Sequence, residues 1–177
     1  MMLTVLMISL LASCGYASEA AEERRNALLE SGGYSCEAKL SCDLGDAAAE
    51  YTVRADLGEK TVITVIEPPA LAGLTAEVTG RALELDYQDA LFACELPEDS
   101  VYPPVLLMPA AWQALSDGVL VASEKTEEGV RASFSRFEKE EEYIFTFEFA
   151  NGEAPIRRIT LEKNGRQLAV VTILRTL

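Results

Sequence analysis

The sequence predicts a mainly β protein with a few helices, in which short antiparallel strands follow one another as a meander. Three observations support this prediction. Apolar and polar residues alternate from residue 34 onward, turn residues recur at short intervals, and only two segments have a helical composition. Evenly spaced short strands joined by tight turns are typical of a sheet that curls into a barrel or a sandwich. The sequence contains no linker and no internal repeat, so residues 34–177 are predicted to form one domain.

The N-terminal run, MMLTVLMISLLAS in residues 1–13, carries no charge. It is shorter than the roughly 20 apolar residues that a transmembrane helix needs. It matches the apolar region of a secretory signal, which has about 7–15 residues. The alternative is an apolar strand or helix of the fold, with Cys14 as a buried thiol. We favour the signal because charged residues follow closely, from Glu19 onward.

The residues Leu11-Ala12-Ser13-Cys14 resemble the bacterial lipobox and stand directly at the end of the apolar run. In proteins with a lipobox, a diacylglyceryl group is added to the cysteine, and cleavage before it makes this residue the new N-terminus. The resemblance implies lipidation of Cys14 and an extracytoplasmic protein anchored to the cell membrane. Residues 1–13 would be the lipoprotein signal peptide, and residues 14–33 the lipid-anchor segment and an N-terminal helix. The Lys or Arg expected before the apolar run is missing.

Two segments are predicted to be helical. Residues 18–31 are rich in Ala, Glu, Leu and Arg, with Ser18 as a helix N-cap and Gly32-Gly33 as the end. Residues 101–117 are interrupted by prolines and predict one or two short helices. The apolar side of this second segment consists of Leu107, Met108, Trp112 and Leu115.

Eleven segments have the composition or the period-two alternation of strands. They are residues 34–43, 50–58, 60–67, 74–80, 81–88, 90–97, 119–126, 130–139, 141–150, 155–163 and 166–174. Turns are predicted around Gly80 and at residues 88–89, 127–129, 151–152 and 164–165. The acidic run at residues 138–142 lies between two strands and is interpreted as a solvated hairpin tip.

Charge and composition exclude several classes of function. The chain has 15 Lys and Arg against 29 Asp and Glu, a net charge of −14. A nucleic-acid partner is therefore not expected, and adhesion to an anionic lipid surface is disfavoured. The chain has no His, which removes the commonest general base and the commonest transition-metal ligand. We predict no metal, no cofactor and no enzymatic activity. A carboxylate-dependent hydrolase, the alternative, would require two carboxylates that converge in one cleft.

The cysteines other than Cys14 are interpreted as buried core thiols. Cys36 and Cys42 lie on one strand, about 20 Å apart at 3.3 Å per residue, which is far beyond disulfide reach. The alternative is a disulfide between one of them and Cys94, which would suit an exported protein.

The order of segments along residues 34–177 resembles the LolA/LolB-like lipoprotein-carrier superfamily, especially its lipoprotein members from Gram-positive and sporulating bacteria. The resemblance rests on VIEPPALAGL (65–74), VTGRALELDYQDALFACELP (78–97), a Pro-rich helical insert and NGEAPIRRITLEKNGRQLAVVTIL (151–174). It implies a curved, incompletely closed antiparallel barrel, whose concave face is lidded by helices and holds acyl chains. Glu67 stands where the carrier has an Arg that latches its lid, so that latch is not expected here.

Aromatic side chains alternate on one face of strand 141–150. Core packing explains each of them alone. Together with the helical insert they could form a pocket for an alkyl chain, with about 0.8 kcal/mol gained per buried CH₂. The candidate lining residues are Val53, Ala55, Leu57, Ile63, Val65, Leu85, Tyr87, Met108, Trp112, Phe134, Tyr143, Phe145, Phe147 and Phe149.

The predicted function is therefore that of a membrane-anchored extracytoplasmic lipoprotein that binds a lipid or acyl chain. The alternative is a tethered protein-binding module that partners or regulates a cell-envelope or sporulation enzyme.

Overall fold

The computed structural model describes residues 17–43, 48–96, 106–138, 140–151 and 155–177. In these residues a single antiparallel sheet of eleven strands is accompanied by two α-helices and one short 3₁₀ helix. The strands are β1 (Tyr34–Asp43), β2 (Ala48–Leu57), β3 (Lys60–Glu67), β4 (Thr75–Thr79), β5 (Ala82–Tyr87), β6 (Ala90–Glu95), β7 (Val119–Thr126), β8 (Gly129–Glu138), β9 (Glu141–Ala150), β10 (Ile156–Lys163) and β11 (Arg166–Thr176). The helices are α1 (described over residues 17–30), the 3₁₀ helix Pro69–Leu71 and α2 (Leu107–Asp117).

The strand order shows an unclosed sheet made of two meanders. Its order is β6-β5-β4-β3-β2-β1-β11-β10-β9-β8-β7, so every sequential pair within each meander is also a spatial pair. The first and last strands join the meanders, with Leu40 opposite Val171. Strands β6 and β7 are the two edges. This confirms the predicted mainly β fold class with about eleven strands, an incompletely closed barrel, an N-terminal helix and a helical lid.

Tight turns fix the register of the hairpins. Gln88-Asp89 and Asn164-Gly165 are two-residue turns in which both residues have positive φ, between 51° and 73°. This backbone matches the right-handed twist of the flanking strands, and Asn, Asp and Gly tolerate it best. The turns predicted at Gly80 and at residues 127–129 are also present. In the turn predicted at residues 151–152, the second residue lies outside the described part of the chain, as do residues 101–105 of the predicted helical segment.

One face of the sheet, which we call the inner face, is packed against the helices and forms the core. On β1, for example, Cys36, Ala38, Leu40 and Cys42 are buried while the residues between them are more exposed. Helix α2 is buried on nearly all sides, so it belongs to the core rather than to the surface. Helix α1 contributes Ala21 and Leu28 to the same core.

Candidate functional site

A cavity of about 390 Å³ lies between helix α2 and two turns of the sheet. One wall is the helix, and the other consists of the β2–β3 turn, the β4–β5 turn and inner-face residues of β3 and β4. The lining residues are Gly58, Glu59, Thr61, Val78, Thr79, Gly80, Pro109, Trp112, Gln113 and Ser116. The volume falls in the range of about 300–1,000 Å³ that is typical of small-molecule sites.

The cavity is mainly apolar at its base, where Thr61 is the one buried polar residue of the lining, and polar at its rim. Val78, Pro109 and Trp112 are buried, whereas Glu59 and Thr79 are exposed. An apolar group in contact with the buried side chains avoids water, while a polar group at the rim stays solvated. The arrangement therefore fits an amphiphilic ligand better than a fully charged one.

Two arginines hold the helical wall of the cavity. Arg136 donates a hydrogen bond of 2.5 Å from Nη1 to Oε1 of Gln113, and Arg25 of α1 donates one of 2.5 Å from Nη2 to the carbonyl oxygen of Ser116. The Arg25 guanidinium also lies 5.2 Å from the centre of the Phe134 ring. A cation near the last turn of a helix is favoured by the helix dipole. Arg25 therefore ties α1, the C-terminal end of α2 and the inner face of β8 together.

The predicted ligand-lining residues lie on the inner face of the sheet or on α2. Trp112 lines the cavity described above. Leu85 and Tyr87 of β5 are half-buried, and the Tyr87 hydroxyl donates a 2.5 Å hydrogen bond to the carbonyl oxygen of Ala70. The other predicted lining residues are buried: Val53, Ala55, Leu57, Ile63, Val65, Met108, Trp112, Phe134, Tyr143, Phe145, Phe147 and Phe149.

The aromatic residues of β8 and β9 pack against one another. The rings of Phe134 and Phe147 meet edge to face with centroids 5.7 Å apart, and those of Phe147 and Phe149 stack at 5.8 Å. Such pairs stabilise a fold by about 0.5–1.5 kcal/mol beyond the burial of their area. In this structure these rings fill the core of the C-terminal meander.

Sequence reasoning missed the sheet side of the cavity. A turn was predicted around Gly80, whereas Gly58 was assigned to the end of strand 50–58. Nothing in the sequence indicates that the β2–β3 and β4–β5 turns lie side by side next to α2. Thr61 and Val78 are directly opposite each other in the β3–β4 register, and both are buried. A buried threonine at an inward position of a strand is the one signal that could have marked this wall.

The thiols that the structure describes are free, as expected of core cysteines. Cys36 and Cys42 are buried on the inner face of β1, and Cys94 on β6 is half-buried. Burial raises the pKa of Cys36 to about 12 and that of Cys42 to about 11. The two thiols are consequently protonated near neutral pH and are poor nucleophiles.

Glu138 at the end of β8 is opposite Glu141 at the start of β9, so these two residues of the acidic run lie at the predicted β8–β9 hairpin tip. Lys163 donates a 2.5 Å hydrogen bond to Glu141 and lowers the pKa of that carboxyl, and Ser135 donates one of 2.5 Å to Glu142. Within the described ranges, no group of three or more Cys, Asp or Glu side chains is arranged to hold a metal ion. The cavity lining contains one carboxylate, Glu59.

The helices of the described residues are too short or too polar to cross a membrane. Residues 1–13 and Cys14 lie outside this part of the chain.

Comparison with solved structures shows what this fold resembles. A LolA superfamily protein from Nitrosomonas europaea superposes with a TM-score of 0.56 at 12% identity, over 90% of this chain and 92% of the other. A domain described as an outer membrane lipoprotein-sorting protein, from Vibrio parahaemolyticus, superposes with a TM-score of 0.51 at 8% identity, over 91% and 92%. The chain has a LolA-like fold. A DUF1329 family protein from Desulfovibrio piger gives 0.52 at 10% identity, over 93% and 92%.

In sequence, no protein-family model matches the chain, and no curated protein does. At identities of 8–12% the likeness is one of fold. Within this LolA-like fold, α2 is the helix that lids the inner face of the sheet, and the cavity lies at the edge of that lid.

Proposed function

We propose that this protein is a non-enzymatic, extracytoplasmic lipoprotein that binds a lipid or an acyl chain between α2 and the inner face of its sheet. The observation that carries the proposal is the cavity with a mainly apolar base and a polar rim, formed at the edge of a helical lid. In the cavity, Trp112 and Val78 would contact the alkyl part of the ligand. The solvated rim, with Glu59 and Thr79, would contact its polar end.

The single tryptophan of the chain provides a direct test, because Trp112 lines the cavity. The purified protein is analysed by native mass spectrometry for co-purifying lipid, and then titrated with a monoacylglycerol that carries bromine atoms on its acyl chain, because an uncharged polar end is not repelled by Glu59. Bromine quenches tryptophan fluorescence on contact, so binding in the cavity should quench Trp112. Absence of both a bound lipid and quenching would contradict the proposal.

A pair of variants on β4 separates the cavity from the rest of the surface. Val78→Phe adds bulk at the base of the cavity and should abolish quenching. Thr75→Phe adds the same ring to the opposite face of the same strand and should leave quenching unchanged. If Val78→Phe bound the probe like the parent protein, this cavity would not be the lipid site.

We also propose that Cys14 is the lipidated N-terminus of the mature protein, which would anchor it to the outer face of the cell membrane. Support comes from the lipobox at residues 11–14 and from the LolA-like fold. Mass measurement of the mature protein tests this directly, because lipidation and cleavage before Cys14 change the mass in a defined way. An unmodified Met1 or a free Cys14 thiol would overturn it, and Cys14→Ser should release the protein from the membrane.

A second candidate is a tethered protein-binding module that partners or regulates a cell-envelope or sporulation enzyme. It is favoured by large apolar side chains that are exposed on strands of the sheet, among them Leu91, Phe92, Val119 and Phe137. Affinity capture from the native cell, with the anchored full chain as bait, tests it. Recovery of a stoichiometric partner would support this function, and its absence under conditions that preserve envelope complexes would count against it.

A further inference from the structure

Among the strands that the structure describes, β6 is an edge of the sheet, and it is exposed on both of its faces. It is the last strand in the sheet order, paired with β5 on one side. Leu91 is 70% exposed on the outer face, and Phe92 is 59% exposed on the inner face. Proteins normally protect such edges, because unpaired backbone groups beside apolar side chains attract another strand.

The other edge strand, β7, differs from β6 because it contains a β-bulge, a common protection of sheet edges. In β7 the register to β8 shifts between Leu120 and Ala122, so the edge contains a bulge. In β6 the register to β5 is regular from Ala90 to Glu95. A bulge disrupts the regular spacing that an incoming strand needs, and β6 has none.

The backbone groups available on β6 can be identified. The N–H of Leu96 donates to the carbonyl oxygen of Arg81, the residue immediately before β5, so Leu96 directs its N–H toward the β5 side. Orientation alternates along a strand, so Leu91, Ala93 and Glu95 direct theirs away from β5. Within the described residues no strand pairs with these groups. They form a ladder to which one more strand could be added.

The side chains around this ladder define which strand fits. On the outer face, Asp86 is opposite Leu91, Glu84 is opposite Ala93, and Glu95 is itself acidic. In the described part of the chain no Lys or Arg side chain forms a salt bridge with these three carboxylates. On the inner face, the exposed ring of Phe92 lies opposite Leu85. An added strand would place alternate side chains next to carboxylates on one face and next to an apolar surface on the other.

We infer that β6 is the docking edge for an extended segment of a protein partner in which basic and apolar residues alternate. The segment extends the sheet through backbone hydrogen bonds to Leu91, Ala93 and Glu95, with its basic side chains beside Glu84 and Asp86. A second copy of this chain is a poorer occupant, because pairing β6 with itself brings two acidic edges together. The inference rests on the second candidate function above and names the chemistry of the partner.

The test uses two capped octapeptides as probes, one alternating lysine with valine and the other alternating glutamate with valine. Binding to the full chain is measured by calorimetry, and the site by the NMR amide signals of Leu91, Ala93 and Glu95. The lysine peptide should bind and shift these signals, and the glutamate peptide should not bind. The affinity of the lysine peptide should fall as salt is added, because exposed charges are screened. Equal binding of both peptides, or shifts confined to β7, would overturn the inference.

Two variants test the contacts separately. Ala93→Pro removes one N–H that is directed away from β5 and none that pairs with β5. It should weaken binding of the lysine peptide about fivefold or more, because one backbone hydrogen bond to the peptide is lost and the proline ring keeps the peptide backbone at a distance. The double variant Glu84→Gln/Asp86→Asn should weaken it about threefold to tenfold. Its control, Glu127→Gln/Glu140→Gln, removes the same charge from distant turns and should leave binding unchanged. If Ala93→Pro did not fold, by circular dichroism, the charge variants would decide.

Failure of the β6 docking proposal can be distinguished from failure of the proposed protein-binding function. If affinity capture recovers a partner that binds Ala93→Pro and the charge variant as tightly as the parent chain, β6 is not the docking edge, although the protein has a partner.

Discussion

The two meanders of the sheet are built alike but are covered differently. In both, antiparallel strands are joined mainly by tight hairpins. In the C-terminal meander, β8 and β9 bury Phe134, Phe145 and Phe147 almost completely. In the N-terminal meander, β5 and β6 leave Leu85 half-buried and Phe92 exposed on the same inner face. Because α2 packs on β8 and β2, helical cover rather than strand pattern determines which inner-face side chains are buried and which remain exposed.

The largest expected effect comes from removing one ring from each meander. Phe147→Ala deletes a ring that is 1% exposed and contacts two other rings, so the free energy of unfolding should fall by about 3–5 kcal/mol. Phe92→Ala deletes a largely exposed ring and should lower it by less than about 1 kcal/mol. Both values are obtained from urea denaturation followed by circular dichroism. Similar losses in the two variants would contradict the difference in burial between β9 and β6.

A smaller effect is expected at the junction of the helices and the covered meander. Arg25→Met keeps an apolar stem but removes the hydrogen bond to Ser116 and the charge near the Phe134 ring. For a partly buried charged donor, the loss of unfolding free energy should be about 1–3 kcal/mol. Arg157→Met is the control, since its salt bridge with Glu128 is exposed and should contribute about 0–1 kcal/mol. Equal effects would show that Arg25 does not tie the helices to the sheet.

The sequence could predict the strands of both meanders, but it could not predict how the helices cover them. Strict alternation, as in Tyr143, Phe145, Phe147 and Phe149, predicted the strands and their inward faces, because side-chain direction in a strand depends only on neighbours in sequence. The same alternation could not show whether those rings pack together or line a pocket. That depends on where α1 and α2 lie, which is decided by contacts between distant residues such as Arg25 and Ser116.

The cavity, like the aromatic core, could not be predicted from the sequence because its two walls are far apart along the chain. One of its two turns, at Gly80, was predicted from the sequence, but its helical wall lies more than twenty-five residues further along the chain. The exposure of Phe92 was equally invisible in the sequence, since the segment ALFACE reads as an ordinary strand. Local patterns therefore predicted the sheet, whereas the cavity and the exposed strands depend on how the two helices cover that sheet.

The smallest expected effect concerns the two buried thiols on the inner face of β1, Cys36 and Cys42. The folded-state pKa values of Cys36 and Cys42, about 12 and 11, lie above the ordinary value of 9.0. For thiols whose pKa is raised by folding, the contribution to stability is fully present below pH 9 and is lost as the pH rises from 9 toward 11 and 12. Between pH 7 and pH 9, unfolding free energy should fall by only a few tenths of a kcal/mol per thiol. The double variant Cys36→Ala/Cys42→Ala should show a shallower decline, measured by urea denaturation in the presence of reductant.

Alkylation measures how accessible each cysteine is to solvent. In a Cys14→Ser background at pH 8, iodoacetamide should modify Cys94 on the open edge first, because this thiol is half-buried. Cys36 and Cys42 should react only after unfolding in urea, since they are buried and protonated. Peptide mass analysis over time gives the order. If Cys36 were modified as fast as Cys94, the inner face of β1 would be as accessible to solvent as β6. The difference in burial between these two strands would then not hold in solution.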